Sequence, residues 1–162
     1  MGVSGCGKTT VGRLLAARLG WTFLEGDEFH PAANVEKMSS GISLGDDDRW
    51  PWLERIRAGL DACSRNGCDA VLACSALRAR YRDFLAAGRD DVRFVYLKGE
   101  RRTILERMQA RREHYMKAEM LDSQLESLEE PSDAVSADVA QAPPDIVAHV
   151  VRALGLEESR ER

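Results

Sequence analysis

The first nine residues contain glycines, a lysine and a threonine at a spacing that suits the binding of phosphate groups. The run Gly2-Val3-Ser4-Gly5-Cys6-Gly7-Lys8-Thr9 fits the pattern G-x-x-x-x-G-K-[ST]. In such a P-loop, successive backbone N–H groups form a concave anion-binding nest, the lysine reaches the β- and γ-phosphates, and the hydroxyl ligates Mg²⁺. We therefore expect ATP at this loop, with Lys8 as a catalytic cation and Thr9 as a magnesium ligand. The expected nucleotide-binding residues are Gly2, Val3, Ser4, Gly5, Cys6, Gly7, Lys8, Thr9 and Thr10.

The acid that best suits proton transfer or hydroxyl binding is Asp27. It follows a short apolar run over 22–24, which predicts a strand that ends at Glu25-Gly26-Asp27. Ligands of parallel α/β sheets bind at the carboxyl ends of strands, so this carboxylate can meet a substrate hydroxyl and, indirectly, a bound Mg²⁺. The alternative is that Asp27 caps the helix that begins near Pro31.

Further charged side chains precede or follow other predicted elements. The acids Asp46, Asp47 and Asp48 are either a metal cluster or, as adjacent acids before a helix more often are, helix caps and solvated charge. Arg49 follows them, and its planar guanidinium could clamp a carboxylate through two hydrogen bonds. Ser75 and Arg78 follow the apolar run 70–74. Ser75 either binds substrate or caps a helix, and Arg78 either binds substrate or is a surface charge.

The densest basic segment extends from Arg107 to Lys117 and includes Arg111. One interpretation is a solvated helix face, and the other is a lid, at about 109–121, that closes over the phosphates and supplies cations during phosphoryl transfer. We favour the lid, because the segment interrupts a helix between two strands in a P-loop protein. The histidines, which are His30, His114 and His149, lack the spacing of a metal site.

The elements that must position these residues alternate between helices and strands. Apolar runs predict strands over 22–24, 70–74, 93–97 and, weakly, 135–139, and amphipathic spacing predicts helices between them. This order predicts an α/β fold with a parallel sheet flanked by helices. We expect a single P-loop domain over 1–156, followed by a charged tail over 157–162.

Composition limits the class of protein. The chain has 162 residues, of which 44% are hydrophobic and 31% charged, and a net charge of −4. These values predict a cytoplasmic globular protein and give no support to nucleic-acid or membrane partners. No pair of cysteines has C-x-x-C spacing, so we expect Cys63, Cys68 and Cys74 to be ordinary thiols. Cys6 lies in the phosphate nest beside Lys8, which suggests a reactive thiol and oxidation-sensitive nucleotide binding.

Several segments together resemble the small P-loop gluconokinases, over residues 1 to about 131. The most selective are H-P-x-x-N-x-x-K-M from His30 and D-x-D-R-x-P-W-L from Asp46. Others are Cys74-Ser75-Ala76-Leu77, Tyr96-Leu97-Lys98-Gly99 and Ser123-Gln124. Shikimate kinases share the broad fold but not the segment from Gly26 to Leu53.

The resemblance implies ATP-dependent phosphorylation of D-gluconate at its 6-hydroxyl, with Mg²⁺, a nucleoside-monophosphate-kinase-like fold and a homodimer. It implies that Asp27 orients or deprotonates the hydroxyl and that Arg111 is the lid cation. Candidates for binding the sugar acid are Asp27, His30, Lys37, Arg49, Ser75 and Arg78. The alternatives are a kinase for another sugar acid or shikimate, and a nucleotide-binding protein without catalysis.

One departure from the family concerns the fold. A P-loop normally follows a buried strand, but only Met1 precedes this one. We expect the first strand to be absent from the sheet and the native protein to begin several residues upstream. Its absence would remove two ladders of hydrogen bonds and the N-terminal anchor of the P-loop.

Overall fold

The computed structural model of the protein describes residues 1–110 and 118–156. Helices and strands alternate over these residues, as the apolar periodicity predicts. In chain order they are α1 (Lys8–Leu19), β1 (Thr22–Glu25), a 3₁₀ turn (Gly26–Phe29), α2 (Ala32–Ser39), α3 (Asp46–Arg65), β2 (Ala70–Ala73), α4 (Ala79–Ala86), β3 (Val95–Lys98), α5 (Arg101–Ala110), α6 (Ala118–Ser127), β4 (Val135–Asp138) and α7 (Pro143–Ala153). None of the helices in these two ranges has the length and apolar character needed to cross a membrane.

The strands form two parallel pairs, which confirms the predicted sheet type. β1 pairs with β2, with Phe23 opposite Val71, and β3 pairs with β4, with Leu97 opposite Ala137. The first residues of the chain connect the two pairs. The Leu97 N–H donates to the Met1 carbonyl at 3.0 Å, and the Gly2 N–H donates to the Ser75 carbonyl at 3.2 Å.

No strand of residues 1–110 and 118–156 lies between β2 and β3. A cavity of about 470 Å³, here called the sheet cavity, lies between them and is bordered by α1 and by the end of α3. The α-amino group of Met1 lies at this cavity and donates to the Val95 carbonyl at 2.5 Å. Burial lowers the pKa of this amino group from 8.0 to about 6. The gap agrees with the expectation that a strand is absent at this place.

Two apolar clusters hold the helices against the strands. One cluster joins α1, β3, β4 and α7, with Leu19, Val139 and Val150 almost fully buried. The other joins α3 and α4 through residues such as Trp52 and Ile56. The two clusters therefore hold α1, the end of β2 and the start of α3, which are among the elements that position the site.

Two expectations about cysteines are wrong. Cys63 and Cys68 form a disulfide, because the turn at Asn66-Gly67 reverses the chain after α3 and brings the two Cα atoms to 5.2 Å. Cys74 is a free thiol, as expected. The side chain of Cys6 is only 1% exposed and packs in the first cluster, so it does not face the phosphate nest as a reactive thiol would.

Candidate active site

The P-loop adopts a backbone geometry that its glycines allow. Gly7 has φ 98° in the left-handed region and is the N-cap of α1, which begins at Lys8. The Lys8 Nζ donates to the Val3 carbonyl at 3.0 Å, so its ammonium folds back over the loop. The loop therefore presents the amino end of α1 and a cation at the same place, as phosphate binding requires.

Thr9 and Glu25 place two oxygen ligands beside the P-loop. The Thr9 hydroxyl donates to the Glu25 carboxylate at 2.8 Å, which joins the first turn of α1 to the last residue of β1. A hydroxyl and a carboxylate are hard oxygen ligands of the kind that Mg²⁺ prefers. Sequence reasoning named Thr9 but treated Glu25 only as a strand end. The residues present therefore fit the ion, although no group of three or more acidic, histidine or cysteine side chains in the described part of the chain, Asp46 to Asp48 included, is placed to hold a metal ion.

Asp27 is exposed in the 3₁₀ turn directly after β1. Its neighbour Gly26 is buried, and a Cβ at Gly26 would lie 2.5 Å from the Ala73 carbonyl oxygen, so only glycine lets the ends of β1 and β2 approach this closely. The Trp52 indole N–H donates to the Gly26 carbonyl at 2.7 Å and fixes the turn. Asp27 does not cap α2, since the N-cap residue is Pro31 and no side chain caps that helix.

His30 lies flat against Trp52. The ring centroids are 4.5 Å apart with an interplanar angle of 10°, and Asn34 Nδ2 is 3.4 Å from His30 Nδ1. Burial lowers the pKa of His30, and Arg49 lowers it further, whereas Asp27 opposes both effects. The imidazole is therefore neutral near pH 7 and offers a ring nitrogen for hydrogen bonding.

The three acids before Trp50 occupy the first turn of α3, and Gly45 rather than an acid is the N-cap. Asp48 accepts a hydrogen bond from Lys37 at 2.6 Å and another from the Gly45 N–H at 3.0 Å. Both bonds lower the pKa of Asp48, and the bond from Lys37 has the larger effect. Lys37 thus pairs with Asp48 and joins α2 to α3. Asp46 binds the Tyr81 hydroxyl and Arg80, and its carboxylate is 3.7 Å from the guanidinium of Arg78.

Ser75 and Arg78 lie between β2 and α4, an eight-residue helix that sequence analysis did not delimit. Ser75 does not cap that helix, because α4 begins at Ala79 and its N-cap is Arg78. Arg82 is buried rather than a surface charge, and its guanidinium donates to the carbonyls of Ala76 and Leu77. This pairing stiffens the segment that carries Ser75 and Arg78.

A cavity of about 370 Å³, here called the P-loop cavity, opens between these elements. It brings together five of the six residues predicted to bind the sugar acid and two residues of the P-loop. These are Ser4, Lys8, Asp27, His30, Arg49, Ser75 and Arg78. Lys37 is not among the lining residues, and Arg111, with most of the expected lid, falls outside the described residues.

Sequence reasoning missed some lining residues. Trp52 entered only through the family resemblance and Tyr81 was not considered as a site residue, although an aromatic residue beside predicted ligands is a signal for packing against them. One face of α6, with Met120, Ser123, Gln124 and Ser127, also lines the cavity. The apolar spacing of Leu121, Leu125 and Leu128 indicates the buried face of this helix, so the opposite polar residues could have been predicted to face a ligand.

A parallel sheet, a P-loop that opens a helix, and an acid beside a cavity at the carboxyl ends of the strands define a P-loop kinase. The shikimate kinase family model matches residues 4–154. The thermoresistant gluconokinase of Escherichia coli is 40% identical over 158 residues, which cover 95% of this chain and 90% of that protein. The thermosensitive gluconokinase of the same organism is 45% identical over 86% of this chain and 76% of that protein.

A solved structure agrees with these matches. The crystal structure of a gluconokinase from Sinorhizobium meliloti has a TM-score of 0.87 and 44% identity, and the match covers 96% of this chain and 89% of that one. The chain belongs to the gluconokinases, within the shikimate kinase family.

Proposed function

We propose that the protein transfers the γ-phosphoryl group of ATP to the 6-hydroxyl of D-gluconate and so forms 6-phospho-D-gluconate and ADP. The observation that carries this proposal is the P-loop cavity, where Lys8 and Asp27 line the same space as Arg49 and Arg78. Its volume of about 370 Å³ lies within the range of small-ligand sites, roughly 300–1,000 Å³. Membership of the gluconokinases selects gluconate among the acids that such a site could take.

The phosphate side of the reaction uses the backbone of the P-loop and one cation. The N–H groups at the start of α1 bind phosphate oxygens, and the Lys8 ammonium moves from the Val3 carbonyl to the charge that develops during transfer. The Thr9 hydroxyl and the Glu25 carboxylate would hold Mg²⁺, with Asp27 nearby in sequence. When bound, the ion neutralises phosphate charge and aligns the groups for in-line transfer.

The acceptor side uses side chains from three elements. Asp27, exposed after β1, accepts a hydrogen bond from the reacting hydroxyl and orients it. Arg49 at the start of α3 and Arg78 before α4 are the cations that line the cavity away from the P-loop, and a guanidinium binds a carboxylate through two parallel hydrogen bonds. His30 supplies a neutral ring for a hydroxyl of the polyol chain. We propose further that Arg111 of the lid and Lys37 contribute to charge stabilisation and substrate binding.

The test is an ADP-release assay, coupled to NADH oxidation, with ATP and a panel of acceptors. The panel contains gluconate, other six-carbon sugar acids and shikimate, and the product is identified by mass spectrometry. We expect gluconate to give the highest kcat/KM and Lys8→Ala to give none. A higher kcat/KM for another acid would show that this acid, and not gluconate, is the preferred substrate.

A second candidate function is nucleotide binding without catalysis. The sheet cavity supports it, because it borders the residues that lead into the P-loop, and Lys8 itself lines both cavities. Tight ATP binding, measured by calorimetry, without ADP release for any acid of the panel would favour this candidate.

We also propose that the protein acts in the cytoplasm and forms a homodimer. Light scattering after size-exclusion chromatography tests the oligomeric state, and a monomeric mass at micromolar concentration would contradict the dimer.

A further inference from the structure

The wall of the P-loop cavity that α6 forms differs from the rest of the lining in its polar groups, which are uncharged. Met120, the adjacent pair Ser123-Gln124, and Ser127 recur at spacings of three or four residues and line the cavity together. Their polar groups are two hydroxyls and one amide, all uncharged. The guanidinium groups of Arg49 and Arg78, in contrast, come from other segments of the lining.

Gln124 joins this wall to the P-loop. Its side-chain oxygen accepts a hydrogen bond from the Ser4 N–H at 2.7 Å, across 120 residues of sequence. Ser4 is part of the loop that binds phosphate, and both residues line the cavity. This hydrogen bond therefore fixes the distance between the cavity wall and the P-loop.

Two further contacts anchor α6 to its surroundings. Arg101 donates two hydrogen bonds, of 2.6 and 2.9 Å, to the Asp122 carboxylate and so joins α6 to α5. Beyond the end of α6, the Glu129 carboxylate accepts from the Ala79 N–H at 2.6 Å, and the Glu129 N–H donates to the Leu77 carbonyl at 2.9 Å. The wall is thus held between α5, the P-loop and the start of α4, which carries Arg78 as its N-cap.

The chemistry of the wall matches one part of a sugar acid. The Ser127 hydroxyl donates to the Ser123 carbonyl at 2.8 Å and can still accept a hydrogen bond, whereas the cations elsewhere in the cavity only donate. A polyol chain offers hydroxyls that both donate and accept. A neutral wall therefore distinguishes a polyhydroxylated acceptor from a plain carboxylic acid.

We propose that the Ser123, Gln124 and Ser127 face of α6 is the hydroxyl-recognition wall of the acceptor site, and that Gln124 is the positioning residue that holds this wall in register with the P-loop. The proposal rests on the proposed function in taking a sugar acid as the acceptor. It assigns the serine hydroxyls to contact with the polyol and gives Gln124 an effect that passes through Ser4.

The test compares Gln124→Met, Ser127→Ala and the matched control Glu126→Ala, whose side chain is exposed on the same helix and does not line the cavity. Methionine keeps the length of the side chain but removes the hydrogen bond to Ser4. For Gln124→Met we expect roughly a ten- to thirtyfold loss in kcat/KM for gluconate, which is the effect of one hydrogen bond that positions reacting groups. For Ser127→Ala we expect a rise of about five- to tenfold in the KM for gluconate with kcat nearly unchanged.

The Kd for ATP, measured by calorimetry without acceptor, separates this inference from a general loss of structure. We expect that Kd and the melting temperature of each variant stay close to those of the wild type, and that Glu126→Ala is unchanged in every assay. A Gln124→Met enzyme with wild-type kinetics would overturn the inference, as would equal losses for ATP and gluconate together with a lower melting temperature.

Failure of the proposed function gives a different result. If the wild type phosphorylates another sugar acid of the panel, the same variants are measured with that acid and the wall is still tested. If wild-type protein binds ATP but phosphorylates no acid, both the proposed function and this inference are refuted.

Discussion

The buried amino group of Met1 makes a quantitative prediction about the sheet cavity. In the folded chain its pKa is about 6, compared with 8.0 for an ordinary α-amino group, and burial is the main cause. Acetylation of this nitrogen removes the charge but keeps an N–H that donates to the Val95 carbonyl. We therefore predict that an N-acetylated chain is more stable than the same chain with a free amino group, and that the difference depends on pH.

The sign and size follow from proton linkage. Since folding lowers the pKa, the unfolded chain binds more protons between pH 6 and 8, so the free-amine protein gains stability as the pH rises through this window. Two pKa units give a maximum penalty of about 2.7 kcal/mol below pH 6. We expect the acetylated form to be more stable by about 2.6 kcal/mol at pH 5.5, about 1.4 kcal/mol at pH 7 and about 0.1 kcal/mol or less at pH 9.

The measurement is unfolding in guanidinium chloride, followed by tryptophan fluorescence, for both forms at these three pH values. Mass spectrometry verifies that Met1 is retained in each sample. Other titrating groups are common to the two forms, so they cancel in the difference. A difference that stays constant from pH 5.5 to pH 9, or that is absent throughout, would show that this nitrogen is solvated in the folded protein and would refute the reasoning.

Three substitutions test the site itself. Lys8→Ala is expected to lower kcat at least about a thousandfold with little change in melting temperature, because its ammonium makes a single partly buried hydrogen bond to the Val3 carbonyl in the fold but stabilises the transferred charge. Steady-state kinetics with calorimetry check this, and near-wild-type turnover would contradict it. Asp27→Asn is expected to lower kcat about a hundredfold or more while the Kd for ATP changes by less than about threefold; an unchanged rate would remove Asp27 from the mechanism. Trp52→Phe keeps a ring against His30 but loses the hydrogen bond to the Gly26 carbonyl, so we expect a loss of roughly 1–3 kcal/mol in stability and a raised KM for gluconate. Chemical unfolding measures the stability and steady-state kinetics measure the KM. Full stability of the variant would show that this hydrogen bond contributes nothing.

Local patterns in the sequence were sufficient to predict the nucleotide half of the site. The P-loop and the strand before Asp27 are recognised from the spacing of residues that are close together in the chain, and this spacing can be read directly from the sequence. The same holds for the helices that end at Gly20 and begin at Pro143, where a residue of special backbone geometry marks the boundary.

Other contacts could not be predicted in this way, either because the partners lie far apart in sequence or because the contact depends on how the chain turns locally. Trp52 binds a carbonyl 26 residues away, and Gln124 binds an amide 120 residues away. Arginine is usually a surface residue, yet Arg82 is buried because its guanidinium donates hydrogen bonds to two carbonyls after β2. The Cys63–Cys68 bond depends on the reversal at Asn66-Gly67, which a search for C-x-x-C spacing does not detect.

This division within the site explains how one fold serves kinases with different acceptors. In the proposed reaction, the phosphate half is built from backbone N–H groups of the P-loop, the amino end of α1 and the side chains of Lys8, Thr9 and Glu25. In the same proposal, the acceptor half is built from side chains at the starts of α3 and α4 and along α6, which the two strand pairs do not constrain directly. Substitutions on these three helices can therefore change the acceptor and leave nucleotide binding intact. That expectation accords with a chain that matches the shikimate kinase family model over residues 4–154 and yet belongs to the gluconokinases.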